Sequence, residues 1–287
     1  MDNVYIHTKN NLKMIVLKYI LFLLPLIFYG IYKNGILLYQ KSIISFILIF
    51  KVLFLILIGV IIDFIIRIIF KKKLHFDYDL LSCIIIPLFM PFNINFFLYT
   101  GVLFASLILY ELLSKLIKIN KSAFIILTIL LSILYTSNLN FLNPLEESNI
   151  YVFNTLDLLW GRNVGGIAST SILWGLVLLF LGTTFNDYKW FIPIVSIFVF
   201  LSIAIILNTN INLYINSMAI VSFILLHIDT RYTPINTIEC IIYSLFLGIL
   251  TYFSCVYINY YFGVFISVII VNFCFEMINI LVKKKYL

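Results

Sequence analysis

The stretch from Gly161 to Ile194 has the residue types and spacing of an anion-binding site. It reads GRNVGGIASTSILWGLVLLFLGTTFNDYKWFIPI, in which a glycine pair and a hydroxyl run lead directly into an apolar helix. Backbone N–H groups at the start of a helix, together with the positive end of its dipole, favour an anion. The alternative is a membrane helix with an ordinary Ser/Thr cap. The candidate residues are Gly165, Gly166, Ser169, Thr170 and Ser171.

Two charged residues fall inside apolar segments. Lys51 lies about 15 Å along a helix from Lys41, near mid-membrane, where an unpaired charge costs several kcal/mol. We expect Lys51 to be paired, neutral or hydrated. Either it lies on an ion or proton path, or it snorkels to the interface through a local distortion. Glu276 precedes Lys283 by two turns and shares a helix face with Asn272, so it is a second candidate intramembrane charge.

The other reactive side chains form no catalytic or metal-ligating pattern. The four cysteines have no C-x-x-C spacing, which predicts small apolar packing residues. Among the three histidines, His227 stands two residues before Asp229, and we expect an interfacial polar anchor there. No Ser-His-Asp arrangement, P-loop or dinucleotide-binding loop is recognisable. The sequence therefore predicts no catalytic residues, no metal ligands and no direct NADH site.

The composition is that of a polytopic membrane protein. Of the 287 residues, 63% are hydrophobic and 11% are charged, and the mean hydropathy is +1.14. Such a chain has too little polar surface for a water-soluble globule. The net charge of +7 comes from basic residues beside apolar spans, where they orient a protein in a lipid bilayer. The bilayer is therefore the predicted surrounding, and nucleic acid is not a predicted partner.

Hydropathy and prolines predict ten membrane segments in two halves. Residues 1–136 form the first five-segment repeat, residues 137–164 a connecting loop on the outer face, and residues 165–287 the second repeat. The third segment of each half is short and ends in a proline element, PLFMP and then HIDTRYTP. Because five is odd, equivalent halves would lie upside down relative to each other.

The predicted fold class is thus an all-α integral membrane protein with two inverted five-segment repeats, each with an irregular or broken third segment. The predicted segments are residues 15–32, 42–70, 80–90, 96–113, 122–136, 166–184, 190–207, 213–227, 237–258 and 261–282.

The basic residues predict how this arrangement lies in the membrane. With the N-terminus in the cytoplasm, fifteen Lys and Arg residues fall on the inner side, and three, Lys33, Lys41 and Arg162, fall outside. This asymmetry predicts both termini in the cytoplasm and the loop of residues 137–164 outside. The polar lead before Ile15 has no small-residue cleavage site, so we expect it to stay on the mature chain.

Two motifs resemble those of one membrane family. GGIASTS followed by an apolar span and W-x-x-P, at Trp190 and Pro193, resembles the family's G-S-x-G-E-T-S and W-R-x-P. FILLHIDTRYTPI resembles F-F-M-A-T-D-P-x-T-S-P and places Asp229, Thr233 and Pro234 on matching positions. The family comprises the RnfD protein of the Rnf-type electron transport complex and the NqrB protein of the sodium-translocating NADH:quinone oxidoreductase.

The resemblance covers residues 161–235 well and the rest of the chain loosely. It implies a subunit of an ion-translocating electron transport complex in a bacterial plasma membrane, with a flavin-associated electron relay coupled to Na⁺ or H⁺ transport. Other subunits of the complex would be its partners, and a separate peripheral subunit would handle NADH. The glycine-rich candidates together with Asp229 and Thr233 would then contact the cofactor.

The departures from the family pattern concern the flavin. Members with covalent FMN carry S-G-A-T in the outer loop, and no such tetrad occurs here. The glutamate of G-E-T-S is Ser169 in this chain. Covalent FMN is therefore not expected, and any FMN or riboflavin would be held non-covalently. Two alternatives remain, a small-solute channel or transporter of similar inverted-repeat fold and a structural subunit that has lost its flavin.

Overall fold

The computed structural model describes residues 12–72, 77–115, 117–136, 141, 155–184, 188–207 and 217–285. Within these ranges all regular secondary structure is helical, and there are no strands. The all-α class predicted from the sequence is confirmed.

The first half of the chain begins with a long apolar helix and contains one short, broken helix. Helix α1 continues through a π-helical turn, Tyr32–Ile36, into α2, and a 3-10 segment, Phe46–Phe50, precedes α3. Helix α4 gives way to a 3-10 segment, Ile86–Phe89, because Pro87 has no N–H group to continue the α-helix. The helices are α1 Leu12–Ile31, α2 Leu37–Gln40, α3 Lys51–Ile69, α4 Tyr78–Ile85, α5 Phe96–Leu113 and α6 Lys121–Thr136.

The second half also contains one short helix followed by a proline element. The 3-10 turn Thr230–Tyr232 follows α10 and precedes Pro234. The helices are α7 Thr155–Trp160, α8 Ile172–Thr183, α9 Phe191–Ile206, α10 Ser217–Leu226, α11 Thr237–Tyr257 and α12 Gly263–Lys285.

Several helices are long and apolar enough to cross a bilayer. By length and composition there are four among the described residues, namely Leu12–Gln40, Phe46–Ile69, Phe96–Leu113 and Thr237–Tyr257. Shorter apolar helices accompany them, including α6, α8 and α9. Large apolar side chains such as Phe180 and Phe198 are about 70% exposed, as on a surface that lipid covers.

Two predicted segments start later in the structure. Residues 42–45 of the segment expected over residues 42–70 are not helical, so Lys51 begins α3 and does not lie along a helix from Lys41. A helix was expected over residues 166–184, but α8 begins only at Ile172. Residues 165–171 are buried and non-helical, because backbone N–H groups of this stretch bond to carbonyl groups of the first half. This stretch is called the glycine-rich segment below.

The helices of the two halves pack in corresponding pairs. In the first half the pairs are α1 with α4, α3 with α4, α3 with α5, α4 with α6 and α5 with α6. In the second half they are α8 with α10, α9 with α10, α9 with α11, α10 with α12 and α11 with α12. The halves meet where α1 packs on α8 and α6 on α12.

The bundle has two ends that differ in chemistry. The turn after α1 packs on the 3-10 segment before α3, so α1 and α3 form an antiparallel pair. The 19 residues of α3 separate its ends by about 28 Å. We call the end that holds Tyr32 the aromatic end, and the end that holds Arg67 the ion-paired end.

Candidate functional sites

The glycine-rich segment closes the broken third segment of the first half. The Ile167 N–H donates to the Met90 carbonyl at 2.9 Å, and the Ala168 N–H donates to the Leu88 carbonyl at 3.0 Å. These carbonyls lie at the end of the 3-10 segment, where no helical N–H reaches them. Residues on opposite sides of the predicted connecting loop therefore complete each other's backbone hydrogen bonding.

Close backbone approach explains the glycine at position 166. A Cβ atom there would lie 2.7 Å from both the Leu88 carbonyl oxygen and the Phe89 carbonyl carbon. On α1, a Cβ at Gly30 would lie 2.7 Å from the Ala168 side chain. Contacts this short are not tolerated between backbone and side chain, so packing on neighbouring elements requires both glycines.

The hydroxyl run holds the segment and starts α8. The Ser171 hydroxyl accepts from the Trp174 N–H at 3.4 Å and caps the helix. Thr170 Oγ1 accepts from Lys33 Nζ at 3.2 Å, and Lys33 also donates to the Asn163 carbonyl. Asn34 Nδ2 donates to the Ile167 carbonyl at 2.6 Å. The fully buried ammonium of Lys33 thus fixes the segment, a role that its position at the end of an apolar span did not reveal.

A pocket of about 340 Å³ lies beside the start of α8, at the aromatic end. Trp174, in the first turn of α8, is part of its wall. The described residues that line it are Tyr29, Tyr32, Lys33, Leu37, Trp160, Arg162 and Trp174. Four aromatic rings and two basic side chains therefore face one cavity. The predicted glycine and hydroxyl residues do not line this pocket but lie behind its wall, where they position Lys33 and Trp174. The motif alone did not indicate this supporting role.

The second motif forms a capped turn at the ion-paired end. Asp229 caps the 3-10 turn by accepting from the Arg231 N–H at 3.2 Å, and its carboxylate accepts from Arg231 Nη2 at 2.6 Å. Thr233 Oγ1 donates to the Thr230 carbonyl at 3.0 Å. Lys189 donates to the Pro234 carbonyl. Asp229 and Thr233 thus shape the turn around Pro234.

A second pocket, of about 380 Å³, opens beside this turn and is called the polar pocket below. Thr233, Asn272 and Glu276 line it, so two of the predicted site residues and their expected neighbour Asn272 meet there. Asp229 lies behind Arg231, which is itself in the wall. Lys118 Nζ lies 4.0 Å from the Glu276 carboxylate across the opening. The predicted cofactor residues therefore divide between two sites at opposite ends.

A buried network of charges joins the halves at the ion-paired end. Asp63 and Arg67 pair at i,i+4 spacing on α3, with Arg67 Nε 2.6 Å from Asp63 Oδ2, and Arg67 Nη2 also lies 2.6 Å from Asp77 Oδ1. Lys121 Nζ lies 3.2 Å from Asp63 Oδ1. An ion pair between Arg231 Nη2 and Asp79 Oδ1, 2.9 Å apart, connects this network to the second half.

Carboxylates and cations alternate in this network. Among the described residues, Asp63, Asp77, Asp79 and Asp229 pair with Arg67, Lys121 and Arg231, and the charge of Lys72 also acts on Asp79. Burial lowers the pKa of Arg231, but its hydrogen bond to Asp229 and the charge of that carboxylate outweigh this effect. The pKa of Arg231 therefore lies above its ordinary value, and the guanidinium stays charged.

Lys51 is paired inside the protein. Its Nζ donates to the Phe92 carbonyl at 2.5 Å and to the Ile94 carbonyl at 2.8 Å. The ammonium also lies 4.9 Å from the centre of the Phe92 ring and 5.2 Å from that of Phe96. Carbonyl dipoles and aromatic faces together stabilise a cation that lipid would not. Lys51 therefore fixes the turn that follows the first proline break.

No cluster of His, Cys, Asp and Glu with metal-site geometry occurs among the described residues. Cys83, Cys240 and Cys255 are buried and unbridged, as expected of packing residues, whereas Cys274 is unbridged but exposed, against that expectation.

Comparison with curated proteins finds no match. Comparison with protein families finds one, the model described as the NQR2, RnfD, RnfE family, which matches residues 1–287. The match covers both motifs, both pockets and the paired helices of each half. It agrees with the apolar exterior and the membrane-length helices, which mark the chain as a membrane protein. The chain belongs to the NQR2, RnfD, RnfE family.

Proposed function

We propose that the chain holds a flavin non-covalently in the pocket at the aromatic end and relays electrons between partner subunits of an ion-translocating complex. Family membership makes the chain a membrane subunit of Rnf- and Nqr-type complexes. The flavin relay and its coupling to Na⁺ or H⁺ transport are our proposal. The aromatic pocket is the observation that carries it.

The lining of this pocket fits an anionic aromatic ligand. Its volume of about 340 Å³ lies within the range of about 300–1,000 Å³ typical of small-molecule sites. Trp160 and Trp174 offer ring faces on which an isoalloxazine can stack. Arg162 offers donors for a phosphate beside the positive end of α8, and the buried ammonium of Lys33 adds positive charge in the wall. A bound flavin would supply the redox group, and these residues would orient it and exclude water.

Non-covalent binding follows from the residues present. The chain has no S-G-A-T threonine, and the hydroxyl of Thr136 donates to the Ser132 carbonyl at 2.8 Å. Serine in place of the motif glutamate at position 169 removes a negative charge near the start of α8. That change favours an anion there by the same dipole argument.

The two halves are proposed to be inverted five-segment repeats of a ten-segment fold, divided by the loop of residues 137–164. The corresponding helix pairs support this. So do Lys51 and Lys189. Lys51 begins α3 and donates to the Phe92 carbonyl just after the first proline element, and Lys189 lies two residues before α9 and donates to the Pro234 carbonyl of the second. The basic residues support a bacterial plasma membrane location in which both termini and the ion-paired end face the cytoplasm.

Flavin content of the purified complex tests the proposal. Acid releases non-covalent flavin, which chromatography with fluorescence detection then quantifies per complex. We expect Trp174→Leu and Arg162→Gln to lower the retained flavin about tenfold each, because lost stacking or a lost charge-assisted bond is worth about 1–2 kcal/mol. Trp190→Leu is the matched control, since Trp190 is a half-exposed tryptophan outside the pocket.

Two outcomes would contradict the relay. Wild-type complex without acid-releasable flavin excludes it and leaves the structural-subunit alternative. If both pocket variants retain as much flavin as the wild-type complex, the flavin is bound outside this pocket. Solute flux through flavin-free proteoliposomes would instead support the transporter alternative. Gly166→Leu does not discriminate among these outcomes, because it disturbs packing whether or not flavin is bound.

A further inference from the structure

His227 is a buried imidazole with one nitrogen that the described protein does not satisfy. The side chain is 2% exposed, and its Nδ1 lies 2.7 Å from the Phe223 carbonyl oxygen. A carbonyl only accepts, so Nδ1 carries the hydrogen and Nε2 is left with a lone pair. No hydrogen-bond partner for Nε2 occurs among the described residues. Such an orphaned buried acceptor is costly unless water or a proton satisfies it.

Asn272 and Tyr243 form a chain of contacts from the polar pocket to the His227 ring. Asn272 lines the pocket, and its side-chain amide lies 2.7 Å from the hydroxyl of the buried Tyr243. The Tyr243 ring meets the His227 ring edge to face, with centroids 5.8 Å apart. Asn272 lies on α12 and Tyr243 on α11, while His227 directly follows α10. Three elements of the second half therefore bring the pocket wall and the histidine together.

We propose that His227 is a proton-binding site, with Nε2 as the acceptor, reached by water from the polar pocket past Asn272 and Tyr243. A hydronium ion in the pocket gives up one proton and becomes water, and neutral His227 becomes an imidazolium. No other bond is made or broken. This site does not depend on the proposed flavin.

The nearest ionisable residue along the chain, Asp229, is paired with Arg231 at 2.6 Å and so adds no net charge beside His227. The other titratable groups on packed elements are Tyr243 on α11 and Tyr188 before α9, whose hydroxyl donates to the Ile224 carbonyl at 3.2 Å. Both tyrosines are neutral near pH 7.

Nitrogen NMR of histidine in the purified complex tests the proposal without altering His227. His7→Gln and His75→Gln in this chain, with ¹⁵N-histidine incorporated into this subunit alone, leave His227 as its one labelled residue. We expect the Nε2 signal to move from the neutral towards the protonated position as the pH falls from about 8 to about 4, because burial of the ring disfavours the imidazolium. Exchange of its proton with water should slow at least tenfold in Asn272→Leu and in Tyr243→Phe.

Tyr99→Phe is the matched control for Tyr243→Phe. Tyr99 is another fully buried tyrosine, on α5, and its hydroxyl has no hydrogen-bond partner among the described residues. We expect its variant to leave the His227 signal unchanged. A signal that stays neutral across the whole range would overturn the proton site. Titration that is equally fast in wild type, Asn272→Leu and Tyr243→Phe would overturn the route from the pocket.

Discussion

The two proline elements of the molecule are each bonded by a lysine but differ in their surroundings. Each follows a short helix, and a lysine ammonium bonds carbonyls in or just after it, from Lys51 to Phe92 and Ile94 in the first half and from Lys189 to Pro234 in the second. Around the first element, Lys51 is buried and the glycine-rich segment bonds the Leu88 and Met90 carbonyls. Beside the second, Lys189 is only partly buried and the polar pocket lies open.

This difference indicates a structural role for the first element and a functional role for the second. In the first element, the Leu88 and Met90 carbonyls are bonded by the chain's own backbone, so no ligand is needed to satisfy them. The second exposes Thr233, the Pro234 turn and Glu276 to a cavity, and it lies next to an unsatisfied histidine. We therefore expect changes at the first element to affect folding and assembly, and changes at the second to affect function with little loss of stability.

Gly166→Leu should have the largest effect on stability, because its Cβ alone would lie 2.7 Å from the backbone of Leu88 and Phe89. We expect a cost at or above the upper end of the overpacking range of about 1–3 kcal/mol. Thermal unfolding and the yield of assembled complex measure it. Gly101→Leu is the control, since a Cβ there would meet nothing within 4 Å. Equal losses in both variants would show that the close approach is unimportant.

Lys51→Met and Lys189→Met compare the two lysines directly. Lys51→Met strands the Phe92 and Ile94 carbonyls away from water and should cost about 1–3 kcal/mol. Lys189→Met should cost less than about 1 kcal/mol, because water from the open side can replace the ammonium. Melting temperatures of the detergent-purified complex give the order. A larger loss for Lys189→Met would contradict the assignment of the first element as the closed one.

Glu276→Gln should have the smallest effect on stability. Its 4.0 Å contact with Lys118 pairs side chains that are 23% and 68% exposed, and such pairs contribute about 0–1 kcal/mol. Unfolding measured in low and in high salt should give nearly the same melting temperature for variant and wild type. A loss as large as that of Lys51→Met would mean that the polar pocket is part of the structural core.

The sequence predicts well those features that depend on local composition. Helix α5 covers the predicted residues 96–113, and α11 at Thr237–Tyr257 falls one residue short of its prediction. Both segments are uniformly apolar and have polar starts, so hydropathy defines their ends. The two proline elements were also predicted. Proline has no N–H group to bond the carbonyl four residues earlier, so it interrupts a helix.

Features that depend on distant partners were not predictable. The glycine-rich segment was expected to be helical, and only its contact with Leu88 and Met90 shows why it is not. Lys33 was treated as an outer-side charge, although it holds Thr170 from a position 137 residues away. Among the network contacts only the Asp63–Arg67 pair has helical spacing, and the other partners meet through tertiary packing.

The pairing of the glycine-rich segment with the first proline element has a consequence for biosynthesis. The Leu88 carbonyl enters the membrane with its segment, but its donor at Ala168 is synthesised 168 − 88 = 80 residues later. At roughly 5–20 residues per second, that interval lasts about 4–16 s. An unsatisfied carbonyl in hydrocarbon costs several kcal/mol. The first half must therefore stay beside the insertion machinery or a temporary partner until the second half supplies the backbone N–H groups that bond these carbonyls.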